Sequence, residues 1–189
     1  AVGLIFLANI LLVTFFSNAV NLTDGKDGLA AGCTIFCVLS FAAVAYVHGH
    51  TVFAKYLSVP YIPELGEISV FASAMAGACI GFLWYNCKPA AVFMGDTGSL
   101  PLGGSIGLIA VLMGQQFLLI VIGFVFLMEG VSVMIQVASF RLTGRRVFLC
   151  TPIHHHFEQK GWSETQIVIR FWIIAGICAL IGLATLKLR

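Results

Sequence analysis

Long apolar runs separated by short polar segments make up most of this chain. A helix needs about 20 predominantly apolar residues to cross a bilayer. Six runs reach or approach that length: residues 2–16, 29–47, 67–85, 100–113, 117–140 and 167–186. Their spacing is helical rather than alternating, and only helices and closed barrels satisfy every backbone hydrogen bond in lipid. The pattern therefore predicts an all-α, polytopic membrane helix bundle of about six transmembrane helices.

The composition excludes an ordinary soluble domain. Hydrophobic residues make up 60% of the chain, charged residues 10%, and the mean hydropathy is +1.02, whereas soluble domains carry about 25% charged residues. The formal charge of +2 is small and scattered, so no nucleic-acid partner is expected. The six cysteines form no CxxC pair and are interpreted as small core residues. Close approach of helices is expected at Gly77, Gly81, Gly103, Gly104 and Gly107.

The polar connections fall into two sets if the chain crosses the membrane at each run. Segments 17–28, 86–99 and 141–166 share one side, and seven of the ten Lys and Arg residues lie there or just inside the adjoining helix. The positive-inside rule predicts that this side is cytoplasmic. Residues 1–189 are expected to form one transmembrane domain that is N-terminally incomplete, because Ala1 lies inside an apolar run without Met or signal-peptide features.

The first polar cluster covers residues 17–28. If the first helix continues past the membrane surface, Asn18, Asn21 and Asp24 recur every three residues on it, and Asp27 extends the series. Their oxygens would line one wall of a site. The alternative is a solvated helix end with a turn at Asp24 and Gly25.

The second cluster, residues 93–99, leads directly into the fourth predicted helix. Free N–H groups at a helix start attract anions, but the carboxylate of Asp96 would repel phosphate. A Mg²⁺ ion between Asp96 and phosphate oxygens would remove that conflict, because Mg²⁺ prefers hard oxygen ligands. The alternative is that Asp96 only caps the helix.

The third cluster contains His154, His155 and His156, and Arg141, Arg145 and Arg146 precede it. Adjacent histidine side chains diverge, so phosphate binding is favoured over zinc. His48 and His50, on the other face, are interpreted as solvated loop residues. Glu129 would be costly in lipid and should face the bundle interior, with Gln136 on roughly the same face.

Three segments read in this order resemble a known family: NAVNLTDGKDG at 18–28, FMGDTGS at 93–99 and PIHHHFE at 152–158. They are similar to the bacterial phospho-N-acetylmuramoyl-pentapeptide transferases, within the polyprenyl-phosphate N-acetylhexosamine-1-phosphate transferase superfamily. The resemblance implies a multi-pass inner-membrane enzyme of ten helices, of which this chain holds the last six. It further implies a homodimer whose active site is cytoplasmic and uses Mg²⁺. The reaction implied transfers phospho-MurNAc-pentapeptide from UDP to undecaprenyl phosphate, giving lipid I and UMP in peptidoglycan synthesis.

The resemblance also assigns roles to individual residues. Asp96 resembles the metal-binding aspartate and Phe93 the aromatic that stacks on uracil. The residues assigned to catalysis are Asp96, Asp24 and Asp27. Those assigned to substrate binding are Asn18, Asn21, Asn86, Phe93, Gln136, His154, His155 and His156. Lys26 departs from the apolar residue expected between Gly25 and Asp27. The family's adjacent Asp-Asp pair does not occur in this sequence, so the fragment alone is expected to be inactive.

Other interpretations stay open from the sequence. A secondary transporter would also bury Glu129, but its ionisable groups should lie near the membrane midplane. An intramembrane metalloprotease would need zinc-binding histidines, although no HExxH spacing is present. Within the superfamily, a GlcNAc-1-phosphate transferase is the nearest alternative. A direct displacement is preferred over a covalent aspartyl intermediate.

Overall fold

A computed structural model describes residues 2–187. Its helices are α1 (Val2–Thr23), α2 (Leu29–Gly49), α3 (Thr51–Leu57), α4 (Leu65–Asn86), α5 (Gly95–Leu112), α6 (Gln116–Ile122), α7 (Phe124–Thr143), α8 (Ile153–Gln159) and α9 (Glu164–Ala184), followed by a 3₁₀ turn (Thr185–Lys187). Within residues 2–187 the chain contains helices and no strand. Five helices are long and apolar enough to cross a membrane: Val2–Thr23, Leu29–Gly49, Leu65–Asn86, Phe124–Thr143 and Glu164–Lys187. The prediction of an all-α polytopic membrane bundle is confirmed.

Two of the six predicted spans differ from the structure. The span predicted at 100–113 corresponds to α5, which begins earlier, at Gly95, and is not among the five membrane-length apolar helices. Its first turn is polar and contains Asp96, which lowers the mean hydropathy of the helix. The span predicted at 117–140 is divided at Gly123 into α6 and α7. A Cβ atom at position 123 would lie 2.7 Å both from the Leu119 oxygen and from the Phe16 ring, so glycine at this position leaves room for that ring.

Helix α2 forms the centre of the bundle. Two-thirds of its most apolar 18-residue window is buried (67%), against 11% for α1. It packs against α4 and α9, while α1 packs against α5 and α7. Cys33 and Cys37 lie buried on α2 and Cys79 is buried on α4, as expected of small core residues, although Cys87 is exposed.

Glycines bring α1 and α5 into close contact. A Cβ atom on Gly103 would lie 2.3 Å from the Phe16 carbonyl oxygen, and one on Gly107 would lie 2.9 Å from the Val13 Cα atom. This small-xxx-small pair lets the two backbones touch. The same prediction is wrong for Gly77 and Gly81, where a Cβ atom would meet nothing within 4 Å in the described part of the chain.

The prediction that His48 is a solvated loop residue is also wrong. His48 lies in the last turn of α2 and is only 4% exposed. Its Nδ1 atom is 2.9 Å from the Pro60 carbonyl oxygen, so it anchors the segment between α3 and α4. His50, just beyond α2, is partly buried.

The three polar clusters meet at one end of the bundle. The end of α1 contacts the start of α5 through Asn21 and Asp96. The turn that follows α1 contacts α8 through Lys26 and Glu158. Lys88, after α4, pairs with Glu164 at the start of α9. The prediction that these segments share one side of the bundle is confirmed.

Candidate functional site

The first part of the site lies where α1 ends and α5 begins. Helix α1 continues to Thr23, so it carries Asn21 to the first turn of α5. The Asn21 Nδ2 group donates to Asp96 Oδ1 at 2.7 Å and to Ser99 Oγ at 2.9 Å. Gly95, which precedes Asp96, has φ +62°, a conformation that favours glycine. Asp96 therefore takes its hydrogen bond from a different helix, while its side chain stays exposed.

Asp24 places a second carboxyl group at this helix start. Burial raises the pKa of Asp24 to about 6, the Gly95 N–H opposes this by donating a hydrogen bond, and the negative charge of Asp96 raises the pKa further. Asp24 and Asp96 thus lie together at the polar start of α5, which is called the mouth below. Mg²⁺ is commonly held by one or two carboxylates together with phosphate oxygens and water, so Asp24 and Asp96 fit a magnesium site. Residues 2–187 contain no cluster of three or more His, Cys, Asp or Glu groups suited to a metal.

Asp27 and Asn86 hold the two loops beside this mouth. The Asn86 Oδ1 atom accepts from the Gly28 N–H at 3.0 Å, and its Nδ2 group donates to the Val92 carbonyl at 2.8 Å. Asp27 Oδ2 accepts from the Ala90 N–H at 3.1 Å. Asn86 is buried, with 4% of its surface exposed. In this structure both side chains fix the loop between α4 and α5, and their assigned catalytic and binding roles remain predictions.

Phe93 lies at the end of that loop, two residues before α5. Its side chain is 77% exposed, which leaves a ring face open for a planar ligand. Asn18 lies one turn before Asn21 and donates to the Thr14 carbonyl oxygen at 2.8 Å. It is exposed and does not join the Asn21–Asp96 contact, so its role as a substrate ligand also remains a prediction.

The three histidines lie on α8, a short helix that the sequence analysis did not predict, and each has a different partner. His154 Nδ1 is 3.1 Å from both Glu129 carboxylate oxygens, and both residues are fully buried. His155 Nδ1 is 2.8 Å from Glu158 Oε2. His156 Nδ1 accepts from the Leu149 N–H at 3.1 Å. The three rings therefore have separate hydrogen-bond partners, but the rings of His154 and His155 are in contact, with centroids 4.2 Å apart, so the prediction that adjacent side chains diverge is wrong for this pair.

His154 links the buried interior to the turn after α1. Its Nε2 atom is buried and has no hydrogen-bond partner among the described residues. That atom lies against Gly25, where an added Cβ would be only 2.7 Å away. Glu129, expected to face the bundle interior, does so with 0% exposure. The Glu129–His154 pair therefore supports the turn that carries Asp24.

The positive charge of Lys26 is paired. Its Nζ atom is 2.6 Å from Glu158 Oε1, and its side chain is only 11% exposed. The hydrogen bond from Lys26, followed by that from His155, lowers the pKa of Glu158 to about 2. The departure from an apolar residue at position 26 thus adds an ion pair between the α1–α2 turn and α8.

Sequence reasoning missed several residues that organise the site. One is Ser99, which accepts from Asn21 and donates to the Gly95 carbonyl oxygen at 2.9 Å. Another is Glu158, which pairs with Lys26 and His155; its spacing of three from His155 indicates a contact on one helix turn. The sequence offered no signal for the contact between Gly25 and His154.

Gln136 forms its hydrogen bonds with the segment between α7 and α8 and not with residues at the start of α5. Its Nε2 group donates to the Phe148 carbonyl at 2.9 Å, and its Oε1 atom accepts from the N–H groups of Val147 and Phe148 at 3.0 and 2.9 Å. Gln136 therefore holds the segment between α7 and α8, and its assigned contact with substrate remains a prediction.

Comparison with known proteins places these features in a family. The sequence profile of glycosyl transferase family 4 matches residues 1–114. A phospho-N-acetylmuramoyl-pentapeptide-transferase from Methylacidiphilum infernorum (isolate V4) is 55% identical over 180 residues, which is 95% of this chain and 49% of the relative. One from Pelagibacter ubique (strain HTCC1062) is 56% identical over 181 residues, or 96% of this chain and 50% of the relative.

The chain spans about half the length of these curated relatives. The resemblance inferred from the three motifs is confirmed, since both relatives carry the name that the motifs indicated. The profile match covers more than half of the 189 residues. The chain therefore belongs to glycosyl transferase family 4.

Proposed function

We propose that this chain is the C-terminal part of an enzyme that transfers phospho-MurNAc-pentapeptide from UDP to undecaprenyl phosphate, giving lipid I and UMP in peptidoglycan synthesis. The observation that carries the proposal is that two acidic residues lie at one place: Asp24, which accepts from the Gly95 N–H, and Asp96 in the first turn of α5, with the exposed ring of Phe93 preceding that helix. The enzyme would lie in the bacterial inner membrane as a homodimer with this end of the bundle in the cytoplasm. Activity is expected only from the full-length chain, because the Asp-Asp pair is absent here.

The chemistry requires two anions, the acceptor phosphate and the UDP-sugar diphosphate, to approach each other. Asp24 and Asp96 would hold Mg²⁺, which when bound offsets this repulsion and the charge developing on UMP. Asn21 keeps the Asp96 carboxylate oriented through its 2.7 Å hydrogen bond. The N–H groups at the start of α5 would attract the diphosphate. The acceptor phosphate itself is the nucleophile, so no covalent aspartyl intermediate is needed.

Binding of the uracil ring would fall to Phe93. The ring is exposed and belongs to a loop that Asp27 and Asn86 fix by hydrogen bonds to its backbone. Such fixing reduces the loss of conformational entropy when a nucleotide binds. His155, half-exposed on α8 and bonded to Glu158, is the histidine of the three best suited to donate to a phosphate oxygen. His154 would act from behind the turn, because it is fully buried.

The position of the acidic groups favours this function over a transporter. Asp24 follows the last residue of α1 and Asp96 lies in the first turn of α5, so both are at helix ends. A transporter would be expected to place its ion-binding groups near the midplane. Glu129, the buried acid of α7, is already bonded to His154.

The test is release of UMP by the full-length enzyme, reconstituted with UDP-MurNAc-pentapeptide and undecaprenyl phosphate. Asp96→Asn should lower turnover by several orders of magnitude, because it removes a charge that a cation requires. Glu67→Gln, an exposed acid in the first turn of α4, is the matched control and should retain activity. Near-normal UMP release by a folded Asp96→Asn enzyme would remove Asp96 from this role. Turnover of UDP-GlcNAc in place of the pentapeptide substrate would favour the GlcNAc-1-phosphate transferase alternative.

A further inference from the structure

A cavity of about 340 Å³ lies between the last turns of α7 and the segment that leads to α8. One wall comes from a single face of α7, which includes Val137, Phe140 and Arg141. The opposite wall comes from the segment after α7 and includes Arg146 and Leu149. The cavity thus combines two guanidinium groups with apolar side chains.

The segment that forms the second wall is held in place. Gln136 makes three hydrogen bonds to the backbone of Val147 and Phe148. Ser139 donates to the Arg145 carbonyl at 3.0 Å, and His156 accepts from the Leu149 N–H at 3.1 Å. Side chains from both α7 and α8 therefore define the shape of the cavity.

Among the residues that the structure describes, the arginines beside this cavity have no acidic partner. The ion pairs found within residues 2–187 involve Lys26, Lys88, His154 and His155 as the basic groups, and no arginine. Arg141, Arg145 and Arg146 are all exposed. A group of three cations without a counter-charge attracts an anion from outside the chain.

Apolar side chains surround these arginines. Leu142 is 84% exposed, and Phe140, Val147 and Leu149 are between 50% and 56% exposed. Arg141 lies in the last turn of α7, one of the helices long and apolar enough to span a membrane. Cations beside exposed apolar residues at the end of such a helix match the chemistry of a charged lipid, with an anionic headgroup and apolar chains. A small soluble anion has no apolar chain to place against the exposed apolar side chains of this surface.

We propose that this cavity binds an anionic membrane phospholipid, with Arg141 and Arg146 donating to the headgroup phosphate and Phe140 and Val137 contacting the acyl chains. Guanidinium groups suit this ligand because they donate two parallel hydrogen bonds to phosphate oxygens. Gln136, which the resemblance assigns to substrate binding, also lines the cavity, but the lipid proposal is argued from the arginines and the apolar side chains and does not depend on the proposed transfer reaction.

The test is native mass spectrometry of the full-length protein, titrated in detergent with phosphatidylglycerol or phosphatidylcholine. The parent should bind phosphatidylglycerol more tightly than phosphatidylcholine. The double variant Arg141→Gln/Arg146→Gln should bind phosphatidylglycerol about tenfold or more weakly than the parent. Its affinity for phosphatidylcholine should stay unchanged. Arg141→Lys/Arg146→Lys keeps both charges and should retain most of the binding. The control Lys55→Gln/Lys160→Gln removes two exposed charges elsewhere and should bind as the parent does.

Two results would overturn the proposal. One is equal affinity of the parent and the Arg141→Gln/Arg146→Gln variant for phosphatidylglycerol, with thermal unfolding showing that the variant is folded. The other is preferential retention of undecaprenyl phosphate over phosphatidylglycerol, lost in the same double variant. That second result would make the cavity an acceptor site instead of a phospholipid site.

Discussion

Replacing Gly25 by Ala should destabilise the protein through one identifiable contact. The new Cβ atom would lie 2.7 Å from His154 Nε2 and 3.0 Å from Cε1. The ring cannot move aside easily, because it is fully buried and its Nδ1 atom is held by both Glu129 oxygens. Gly25 does not have a left-handed φ, so backbone strain does not contribute. An extra methyl group forced into a packed interior costs about 1–3 kcal/mol.

A double-mutant cycle isolates this contact. In the His154→Ala background the ring is absent, so adding Gly25→Ala should cost no more than about 0.5 kcal/mol. The measurement is the free energy of unfolding of the full-length protein in mixed micelles, followed by tryptophan fluorescence. Gly77→Ala is the matched control, because no residue of the described chain lies within 4 Å of its added Cβ atom and alanine favours a helix. It should unfold no more easily than the parent.

An equal loss of stability from Gly25→Ala with and without the His154 ring would show that this contact is not the cause. Such a result would mean that the turn after α1 is not supported by the Glu129–His154 pair. A supported turn predicts further that Gly25→Ala lowers UMP release more than Gly77→Ala does, because Asp24 immediately precedes the altered residue.

Three other changes test separate parts of the site. Phe93→Ala should weaken UDP-sugar binding by about 1–3 kcal/mol if the ring stacks on uracil. The control Phe117→Ala removes a ring that is 85% exposed elsewhere and should leave the affinity unchanged. If Phe93→Ala binds the UDP-sugar as tightly as the parent does, Phe93 is a membrane-interface anchor. Folding lowers the pKa of Glu158 from 4.5 to about 2, so the ionised carboxylate stabilises the protein above pH 4.5 and this stability is lost as the pH falls towards 2. The melting temperature of Glu158→Gln should therefore fall less between pH 5 and 2 than that of the parent. Parallel melting curves of the two proteins over this pH range would contradict the prediction. Single His→Ala changes at 154, 155 and 156 should reduce turnover without altering zinc content measured by elemental analysis, because the three rings have separate partners; stoichiometric zinc lost in any of them would reopen the metalloprotease alternative.

The sequence predicted the membrane bundle because its main cause is local. Apolar runs such as 29–47 and 167–186 are legible without knowledge of neighbouring helices. The break at Gly123 was not predicted. The need for glycine at this position is not local, because an added Cβ atom would lie 2.7 Å from the Phe16 ring, which is more than 100 positions away in the sequence. A glycine within an apolar run is otherwise tolerated in a helix.

Glycine spacing illustrates the same limit. Gly103 and Gly107 are four residues apart, as are Gly77 and Gly81. The first pair contacts α1 at backbone distance, whereas the second pair faces open space within the described chain. Both pairs carry the same spacing signal, and the difference lies only in which face of each helix meets a partner. That choice is made by tertiary packing and cannot be read from one sequence.

The polar residues of the site divide by whether their hydrogen-bonding groups are already used. The amides of Asn86 and Gln136 have both donor and acceptor engaged by backbone groups of neighbouring loops. A ligand that bonded either amide would have to displace those backbone bonds. Asp96 instead has one oxygen bonded to Asn21 and an exposed side chain. Polar residues stand out equally in so apolar a sequence, and only the structure shows that Asp27, Asn86 and Gln136 hold neighbouring loops while the side chain of Asp96 stays exposed.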